Sequence, residues 1–341
     1  MIDLLKKHKY LSIVTLCFLI FDLLVATLAI IPANEDITSP GGLNTVQSVI
    51  NIENGTQLNG SFHTIYVYSM ERVSVLQSLI GKVSSFNDVS KSPESIQLSR
   101  EQNKLSGTLQ KQQSIEASLI CAYKKAKEDH SYVNLDYRFE GFIVYMYQIN
   151  HNIFALEDVI TKVNDIDTSD KMKLADEINN LELGDVITYI RNGEEKKYEV
   201  DIDFKTNKQM FYCYSKYKIN ETTAFPKYSI SQSTTTGPSG GLMQTLSVYS
   251  QIIGTDLTSG HKIAGTGTIN VDGQVGIIGG ITQKIVTAIH NDVELFLCPG
   301  ENYQEAKEAY NNIPGHEKMI LKRVDTFSEA VNIIKELYGN K

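Results

Sequence analysis

One uninterrupted apolar stretch near the N-terminus limits the architecture of this chain more than any other feature. Leu11–Ile31 contains 21 residues, with no Lys or Arg and a single acid, Asp22. As a helix, a stretch of this length extends about 31 Å, which is enough to cross the hydrocarbon core of a bilayer. It is longer than a secretory hydrophobic region, and Ile30, Ile31 and Pro32 stand where a small-residue cleavage site would be. We therefore interpret it as an uncleaved anchor, with a cleaved signal peptide as the alternative.

The charges beside this stretch predict its orientation. Three lysines and one aspartate lie within the first ten residues. Because basic flanks stay in the cytoplasm, we expect residues 1–10 to be a cytoplasmic tail, 11–31 a single transmembrane anchor, and 32–341 to lie outside the cell membrane. Asp22 is costly in lipid; it is either tolerated by snorkelling or contacts another membrane helix.

Length and composition exclude several classes of protein. A chain of 341 residues with 42% hydrophobic residues predicts two or three domains with real cores. The net charge of −8 argues against nucleic acid as a partner. The four cysteines are widely spaced without a CxxC pair, and the histidines are scattered, so we expect no metal and no cofactor. The sequence has no GxxxxGK[ST] loop, which argues against ATP.

The first part beyond the anchor has mixed secondary-structure signals. Val46–Ile52 and Ser61–Tyr68 are rich in β-branched and aromatic residues and predict two strands. The apolar spacing in Met70–Val83 predicts a helix, and so does the spacing in Ile115–Lys127. Residues 84–113, rich in Ser, Gln and Lys, are expected to be loosely packed or helical.

The middle of the chain resembles a PDZ domain of bacterial secreted proteases. A strand at Phe139–Val144 is followed by an amphipathic helix at Lys171–Leu181 and a strand pair from Leu183 to Val200. The Phe-Glu-Gly-Phe turn is similar to a carboxylate-binding loop, whose amides hold a peptide C-terminus while the next strand accepts the peptide. The resemblance implies four peptide-binding residues: Glu140, Gly141, Phe142 and Ile143. An ordinary hairpin remains the alternative, since the Glu140 carboxylate would repel a C-terminus.

A glycine-rich turn carries the first candidate catalytic residue. Ser239 lies in Gly237-Pro238-Ser239-Gly240-Gly241, directly before an amphipathic helix at Leu242–Ile253. Free amides and the helix dipole at such a position favour a developing negative charge. The alternative is a plain turn with Ser239 as the N-cap of the helix.

The second candidate is Lys284. Ile263–Asn270 and Gln274–Ile278 predict a hairpin, and Gly279-Gly280 leads into a helix that ends near His290. Lys284 falls in the first turn of this helix among isoleucines, and both surroundings should lower the pKa of its amine. A neutral lysine can remove the proton of a serine hydroxyl; taken alone, however, Lys284 could equally be a surface lysine.

Together these motifs resemble the Lon-type serine protease domain over residues 205–341. Gly-Pro-Ser-Gly-Gly is similar to the nucleophile motif, with Gly240 where alanine is more usual. Thr266-Gly267-Thr268-Ile269 is similar to Thr-Gly-Glu-Ile, with Thr268 in place of the acid. The resemblance implies the following roles: Ser239 as nucleophile, Lys284 as general base, Thr266 as a hydroxyl that orients the lysine, and backbone groups at Gly237, Pro238 and Gly240 around the oxyanion.

As a whole, the chain resembles the membrane-anchored PDZ/Lon proteases of Gram-positive-type bacteria, including the SepM pheromone-processing group. We expect α/β and α+β folds with these boundaries: 1–10 tail, 11–31 anchor, 32–117 N-terminal ectodomain segment, 118–203 PDZ-like domain, and 204–341 Lon-type domain. If the strands near residues 46–68 pack onto the protease domain, the PDZ is an insertion in it. The resemblance implies an ATP-independent endopeptidase of secreted peptides or flexible ectodomain segments, and leaves a homo-oligomer open.

Two rival functions remain at this point. One is a membrane-tethered PDZ scaffold that binds peptides through a vestigial, inactive protease domain. The other is a Ser–Lys signal peptidase, which is weaker because such a nucleophile lies close behind the membrane segment, whereas Ser239 is more than 200 residues beyond it.

Overall fold

The apolar stretch forms a single helix, α1 (Lys9–Ile30), none of whose residues is buried. Its mean hydropathy of 2.7 and its 22 residues make it long and apolar enough to cross a membrane, a test that a signal sequence also passes. The structure is a computed structural model that describes residues 9–96 and 98–339; the predicted tail therefore lies almost entirely outside the described residues. The chain divides into two units, 1–41 with 67–92 and 42–66 with 93–341.

The first unit combines α1 with short pieces of sheet and one short helix. Strand β1 (Pro32–Thr45) pairs antiparallel with β4 (Asp88–Lys91) through residues 35–38. Strand β3 (Ser61–Ser74) enters this unit at Val67 and leads into helix α2 (Val75–Gly81), which a capping box from Ser74 begins. The sequence predicted one helix over Met70–Val83; its first third is instead strand, because β3 continues to Ser74 and the capping box at Ser74 begins the helix only there.

The second unit contains two sheets. In the first, strands β16 (Ile320–Val324), β15 (Leu295–Pro299), β12 (Lys262–Gly265) and the start of β3 lie side by side in that order, and all three pairings are parallel. In the second, the order is β10 (Phe211–Phe225), β5 (Asn134–Tyr147), β6 (Val159–Val163), β8 (Val186–Arg191) and β9 (Glu194–Glu199), with antiparallel pairings throughout. The architecture is thus a mixed α/β fold. The other strands of this unit are short: β2 (Ile50–Ile52), β7 (Ile166–Asp167), β11 (Tyr228–Ile230), β13 (Thr268–Ile269) and β14 (Val275–Gly276).

Helices pack on these sheets, and the apolar periodicity of the sequence predicted most of them. Two helices lie close to their predicted bounds, the one over Lys171–Leu181 and the one over Leu242–Ile253. The helix predicted over Ile115–Lys127 is far longer, because a capping box at Ser99 begins it well before its apolar part. The helices of this unit are α3 (Arg100–Asp129), α4 (Lys171–Asn179), α5 (Gly241–Ile252), α6 (Ile281–His290), α7 (Tyr303–Asn312) and α8 (Phe327–Tyr338).

The predicted hairpin between Ile263 and Ile278 was wrong in its first part. Residues 262–265 form β12, a central parallel strand between β3 and β15, and only the two-residue strands β13 and β14 pair with each other. The run Ile263-Ala264-Gly265 is buried on both faces, which a central parallel strand requires and a half-exposed hairpin does not.

Among the described residues, the second unit has one larger and one smaller hydrophobic core, with a further small cluster of Leu109, Ile143, Leu156 and Val159. The larger joins residues from 46–62, 115–133 and 242–338, with α3 and α5 packed together at its centre. The smaller lies within residues 142–211, on the antiparallel sheet and beneath α4. The residues of the smaller core thus interrupt the larger one in sequence. The predicted boundary between residues 117 and 118 falls inside α3.

Candidate active site

The loop that carries Ser239 leads directly into a buried helix. All 12 residues of α5 are buried, and Gly240 lies at its N-cap. Gly237 adopts φ = 87°, a left-handed conformation that favours glycine. A Cβ on Gly240 would lie 2.9 Å from Cγ2 of Thr64 on β3. This close approach explains why glycine stands here in place of the more usual alanine.

Helix α3 holds the beginning of this loop from outside. The Gly237 amide donates to the carbonyl of Gly107 at 2.8 Å. One turn further along α3, the Lys111 amine donates to both the carbonyl and the hydroxyl of Thr235, at 2.9 and 3.0 Å. Partial burial lowers the pKa of this amine. Two consecutive turns of α3 therefore restrain the chain just before Ser239.

Two serines of α3 hold the end of the same loop. The Ser114 hydroxyl donates to the carbonyl of Pro238 at 2.9 Å. The hydroxyl of Ser118, which is fully buried, lies 3.0 Å from the carbonyl of Gly241. The loop that carries Ser239 is thus bonded to α3 on both sides of this residue.

Lys284 is buried in the first turns of α6 rather than on the surface. Its side chain is only 3% exposed. Burial lowers the pKa of the amine to about 7, as the sequence predicted, so a large neutral fraction exists at neutral pH. The nearby Cys298 thiol has its pKa raised to about 12 by burial, so it stays protonated and does not compete as a base.

Thr266 connects Lys284 to the loop that carries Ser239. The Lys284 Nζ donates to the Thr266 Oγ1 at 3.0 Å, and that hydroxyl lies 3.1 Å from the Ser239 carbonyl oxygen, to which it donates. A hydroxyl has one proton, and here the serine carbonyl receives it. Thr266 must therefore accept from Lys284, which leaves the lone pair of a neutral amine free for another partner. The Gly267 amide also donates to the Ser239 carbonyl, at 2.9 Å.

The predicted oxyanion groups need correction. The Gly237 amide is committed to Gly107, and Pro238 has no amide proton. Among the contacts of residues 9–96 and 98–339, the amides of Ser239 and Gly240 have no acceptor. These two consecutive donors, the second at the N-terminus of α5, are therefore available to an acceptor outside the chain.

A cleft of about 450 Å³ adjoins the loop at Pro238. One wall is α3, from Gln110 to Ala117, and the opposite wall is β10 at Tyr214–Tyr217. The floor comes from residues 268–271 and 274–276 around the β13–β14 turn, so Thr268 replaces a carboxylate with an uncharged hydroxyl there. Among the described residues that line it, Lys171 and Glu301 carry charged side chains and the others do not. This shape and chemistry suit an extended, largely uncharged segment of chain.

The predicted peptide-binding turn is not a turn. Phe139–Ile143 lies inside the long strand β5, and Glu140 is the extra residue of a bulge opposite Lys216 and Tyr217 of β10. Phe142 and Ile143 pair with β10 along one edge and with β6 along the other. No free edge remains at these two residues, because β10 occupies the side where a peptide would add. The Glu140 carboxylate bonds to Arg138 at 2.9 Å.

A second concavity, of about 580 Å³, lies near the C-terminal end of α4. Its walls are residues 178–182, the turn at 203–205 and Met210–Cys213 at the start of β10. Here β10 is the edge strand of its sheet. An extended peptide would meet an unpaired strand edge at this place, and Phe142 also lines the concavity.

The sequence reasoning missed the part that α3 plays. Its first half was expected to be loosely packed or helical, because Ser, Gln and Lys dominate there. The sequence contains a pattern that indicates this packing. Small residues recur on one face of the helix, at Gly107, Ser114, Ser118 and Ala122, and such a face allows another helix to approach closely. The helix it approaches is α5.

The part of the chain that carries this geometry is similar to known proteins. Residues 203–336 match the Lon protease (S16) C-terminal proteolytic domain. Lon protease of Clostridium acetobutylicum is 29% identical over 157 residues, covering 43% of this chain and 18% of that protein. The Lon proteases of Campylobacter jejuni (32% over 96 residues, 28% of this chain and 12% of the relative) and Xanthomonas oryzae (30% over 84 residues, 25% and 10%) are also similar. The chain thus matches less than a fifth of the length of each of these relatives.

Proposed function

We propose that this protein is a serine endopeptidase with Ser239 as nucleophile and Lys284 as general base. One observation carries the proposal: a buried lysine with a pKa near 7 is bonded through Thr266 to the backbone of Ser239. The match of residues 203–336 to the Lon proteolytic domain supports the reaction class. Peptide-bond hydrolysis through an acyl-enzyme is the chemistry that a serine and a neutral lysine can perform together.

The reaction proceeds in two halves. The neutral Lys284 amine accepts the proton of the Ser239 hydroxyl as its oxygen bonds to the substrate carbonyl carbon, and the amides of Ser239 and Gly240 hold the resulting oxyanion. The tetrahedral intermediate collapses, and the leaving amine takes the proton from the lysine. Water then attacks the acyl-enzyme, with Lys284 again as base, and releases the second product.

The location of the reaction follows from α1. We place the N-terminus in the cytoplasm and the catalytic domain outside the cell membrane, because the lysines precede the apolar helix. The substrates proposed are secreted peptides and flexible segments of other ectodomains, because the cleft beside Pro238, lined mostly by uncharged side chains, suits a segment in extended form.

We further propose that the antiparallel sheet over residues 134–225 is a PDZ-like peptide-binding module. The groove between α4 and the edge of β10 replaces the predicted turn as the binding place, because residues 142 and 143 are paired on both edges. Strand β10 contributes to this groove through Met210–Cys213 and to the cleft beside Pro238 through Tyr214–Tyr217. A peptide held at the groove therefore has its other end close to the cleft.

The function is tested by comparing cells that carry the wild-type protein with cells that carry Ser239→Ala. Peptides in the medium and membrane are identified by mass spectrometry. We expect a small set of cleaved peptides in the wild type only, and their termini define the scissile bond. If both peptide sets are identical while both proteins are present in equal amount, the peptidase assignment is wrong and a peptide-binding scaffold becomes the better reading.

The role of α3 gives a separate prediction, on Lys111→Met. The Lys111 amine makes two hydrogen bonds to Thr235, four residues before Ser239, so its loss should loosen the nucleophile loop. Because misplacement of a reacting group by about 1 Å can cost about 100-fold in rate, we expect kcat to fall by roughly 10- to 100-fold. KM for a peptide substrate should change little, since Lys111 does not line the cleft.

The matched control is Lys104→Met, an exposed lysine two turns earlier on the same helix. It should leave kcat and the unfolding midpoint unchanged. Equal losses of kcat in both variants, or a loss in Lys111→Met that merely follows a lowered midpoint, would show that α3 contributes stability rather than position.

A further inference from the structure

The short helix α2 has its apolar and polar faces reversed relative to an ordinary helix of a soluble domain. Its inward residues are small, since Ser78 and Gly81 are buried. Beside Gln77, its exposed residues are large and apolar: Leu79 is 53% and Ile80 63% exposed, and Val83, just beyond the helix, is 85% exposed. A helix that faces water on one side normally buries the large apolar side chains and exposes the polar ones.

This reversal is held in place by polar contacts on the inner face. The Ser78 hydroxyl donates to the Glu35 carboxylate of β1, and the Lys82 amine bonds to the same carboxylate at 2.9 Å. A Cβ on Gly81 would lie 2.7 Å from Cδ1 of Ile37, so the helix packs closely against β1 at that point. Because its polar groups are satisfied inward, α2 cannot rotate to bury the leucine and isoleucine without breaking these contacts.

The position of α2 shows what can cover its outer face. The amide of Val75, its first residue, donates to the carbonyl of Ile31 at 2.9 Å, immediately after the last residue of α1. The two helices also contact each other. The polar layer of a bilayer continues roughly 5–7 Å beyond its hydrocarbon core on each side. Because the first residue of α2 is hydrogen-bonded to the residue that follows α1, this seven-residue helix lies within reach of the polar layer.

We propose that Leu79, Ile80 and Val83 insert into the outer interfacial layer of the membrane that α1 crosses. Tyr68 and Met70 of β3 are also exposed in the same unit. The bilayer then holds the first unit at two places, through the span of α1 and through the side of α2. The inference rests on the proposed membrane anchor and is independent of the peptidase reaction.

The absence of tryptophan from the sequence makes a direct test possible. In the full-length chain, reconstituted into phosphatidylcholine–phosphatidylglycerol vesicles, Ile80→Trp introduces the single tryptophan. We expect its emission to be blue-shifted and to fall by about half or more when the acyl chains carry bromine near the headgroup, as the depth of an interfacial side chain requires. The control is Tyr132→Trp, an aromatic exchange in the second unit at a position 55% exposed, which should show neither effect.

Each outcome has a definite reading. If the protein co-floats with the vesicles but the emission of the tryptophan at position 80 is neither blue-shifted nor quenched, the apolar patch lies in water and the proposal is overturned. Blue-shifted emission without bromine quenching would overturn it in favour of contact with another protein surface. Protein that fails to float with the vesicles would instead refute the anchor itself. Val83→Trp, outside α2, repeats the test in case a tryptophan at position 80 disturbs the helix.

Discussion

Purified Ser239→Ala protein should lose peptidase activity by roughly 10⁴-fold or more in kcat while it keeps its fold, as expected when a covalent nucleophile is removed. The fold should survive because the Ser239 side chain makes none of the hydrogen bonds that hold the loop. Its carbonyl, which receives the bonds from Thr266 and Gly267, is unchanged by the substitution.

The measurement combines turnover of a flexible peptide with labelling by a fluorophosphonate. Wild-type protein should bind one equivalent of probe, and the Ser239→Ala protein none. The matched control is Ser231→Ala, an exposed serine eight residues earlier whose backbone amide donates to the Val49 carbonyl and is unchanged by the substitution. Labelling and turnover that persist in Ser239→Ala, or that disappear equally in Ser231→Ala, would contradict the assignment of Ser239.

The second large effect is the dependence of activity on the protonation of Lys284. The base must be neutral, and burial lowers its pKa to about 7. We therefore expect kcat/KM to rise about tenfold per pH unit below 7 and to become constant above it. Lys284→Met removes the base and Lys284→Arg keeps a permanent positive charge, so both should abolish turnover despite the similar length of the arginine side chain.

Another group with a pKa near 7 provides the control. Burial raises the pKa of the Glu116 carboxyl on α3 to about 7. Ionisation of Glu116 alone could therefore produce a rise of kcat/KM over the same pH range. Glu116→Gln should leave the pH profile in place if Lys284 controls it. If the pH profile becomes flat in Glu116→Gln, the rise of kcat/KM belongs to the Glu116 carboxyl, which contradicts the role of Lys284.

The same pKa has a consequence for stability, and its sign is opposite to that of a paired lysine. The Lys284 amine titrates near 7 in the folded protein and near 10.5 when unfolded. Between these values the unfolded chain binds the extra proton, so this residue makes the free energy of unfolding increase as the pH rises through that window. The penalty is complete below pH 7. Denaturant unfolding from pH 7 to 10 should show this slope in wild-type protein and lose it in Lys284→Met.

Much of the local structure could be predicted from periodicity and turn residues. The apolar helix, α4, α5 and α6 all follow from the spacing of their apolar side chains, and the pKa of Lys284 was predicted from its apolar neighbours in a first helical turn. These features depend on residues that are close in sequence. The interpretation of Met70–Val83 failed because a strand and a short helix share that run, and the boundary depends on capping at Ser74.

The errors at Phe139–Ile143 and at Ile263–Asn270 have one cause. Whether a strand has a free edge is decided by its partners, and these come from distant parts of the chain: β10 for the first segment, β3 and β15 for the second. Short-range patterns contain no information about such pairings. The same holds for the oxyanion groups, because the Gly237 amide is taken by Gly107, 130 residues earlier.

By itself, the sequence determined the apolar span, the candidate serine and lysine, and the type of chemistry they could perform together, since these depend on residue type and local spacing. Only the tertiary structure decided that α3 holds the loop of Ser239 on both sides, and that the Thr266 hydroxyl donates to the Ser239 carbonyl, which leaves the lone pair of Lys284 free. It also decided that α2 turns its apolar side outward. Each of these depends on hydrogen bonds or packing between segments that are distant in sequence, and their energies exist only once the chain has folded.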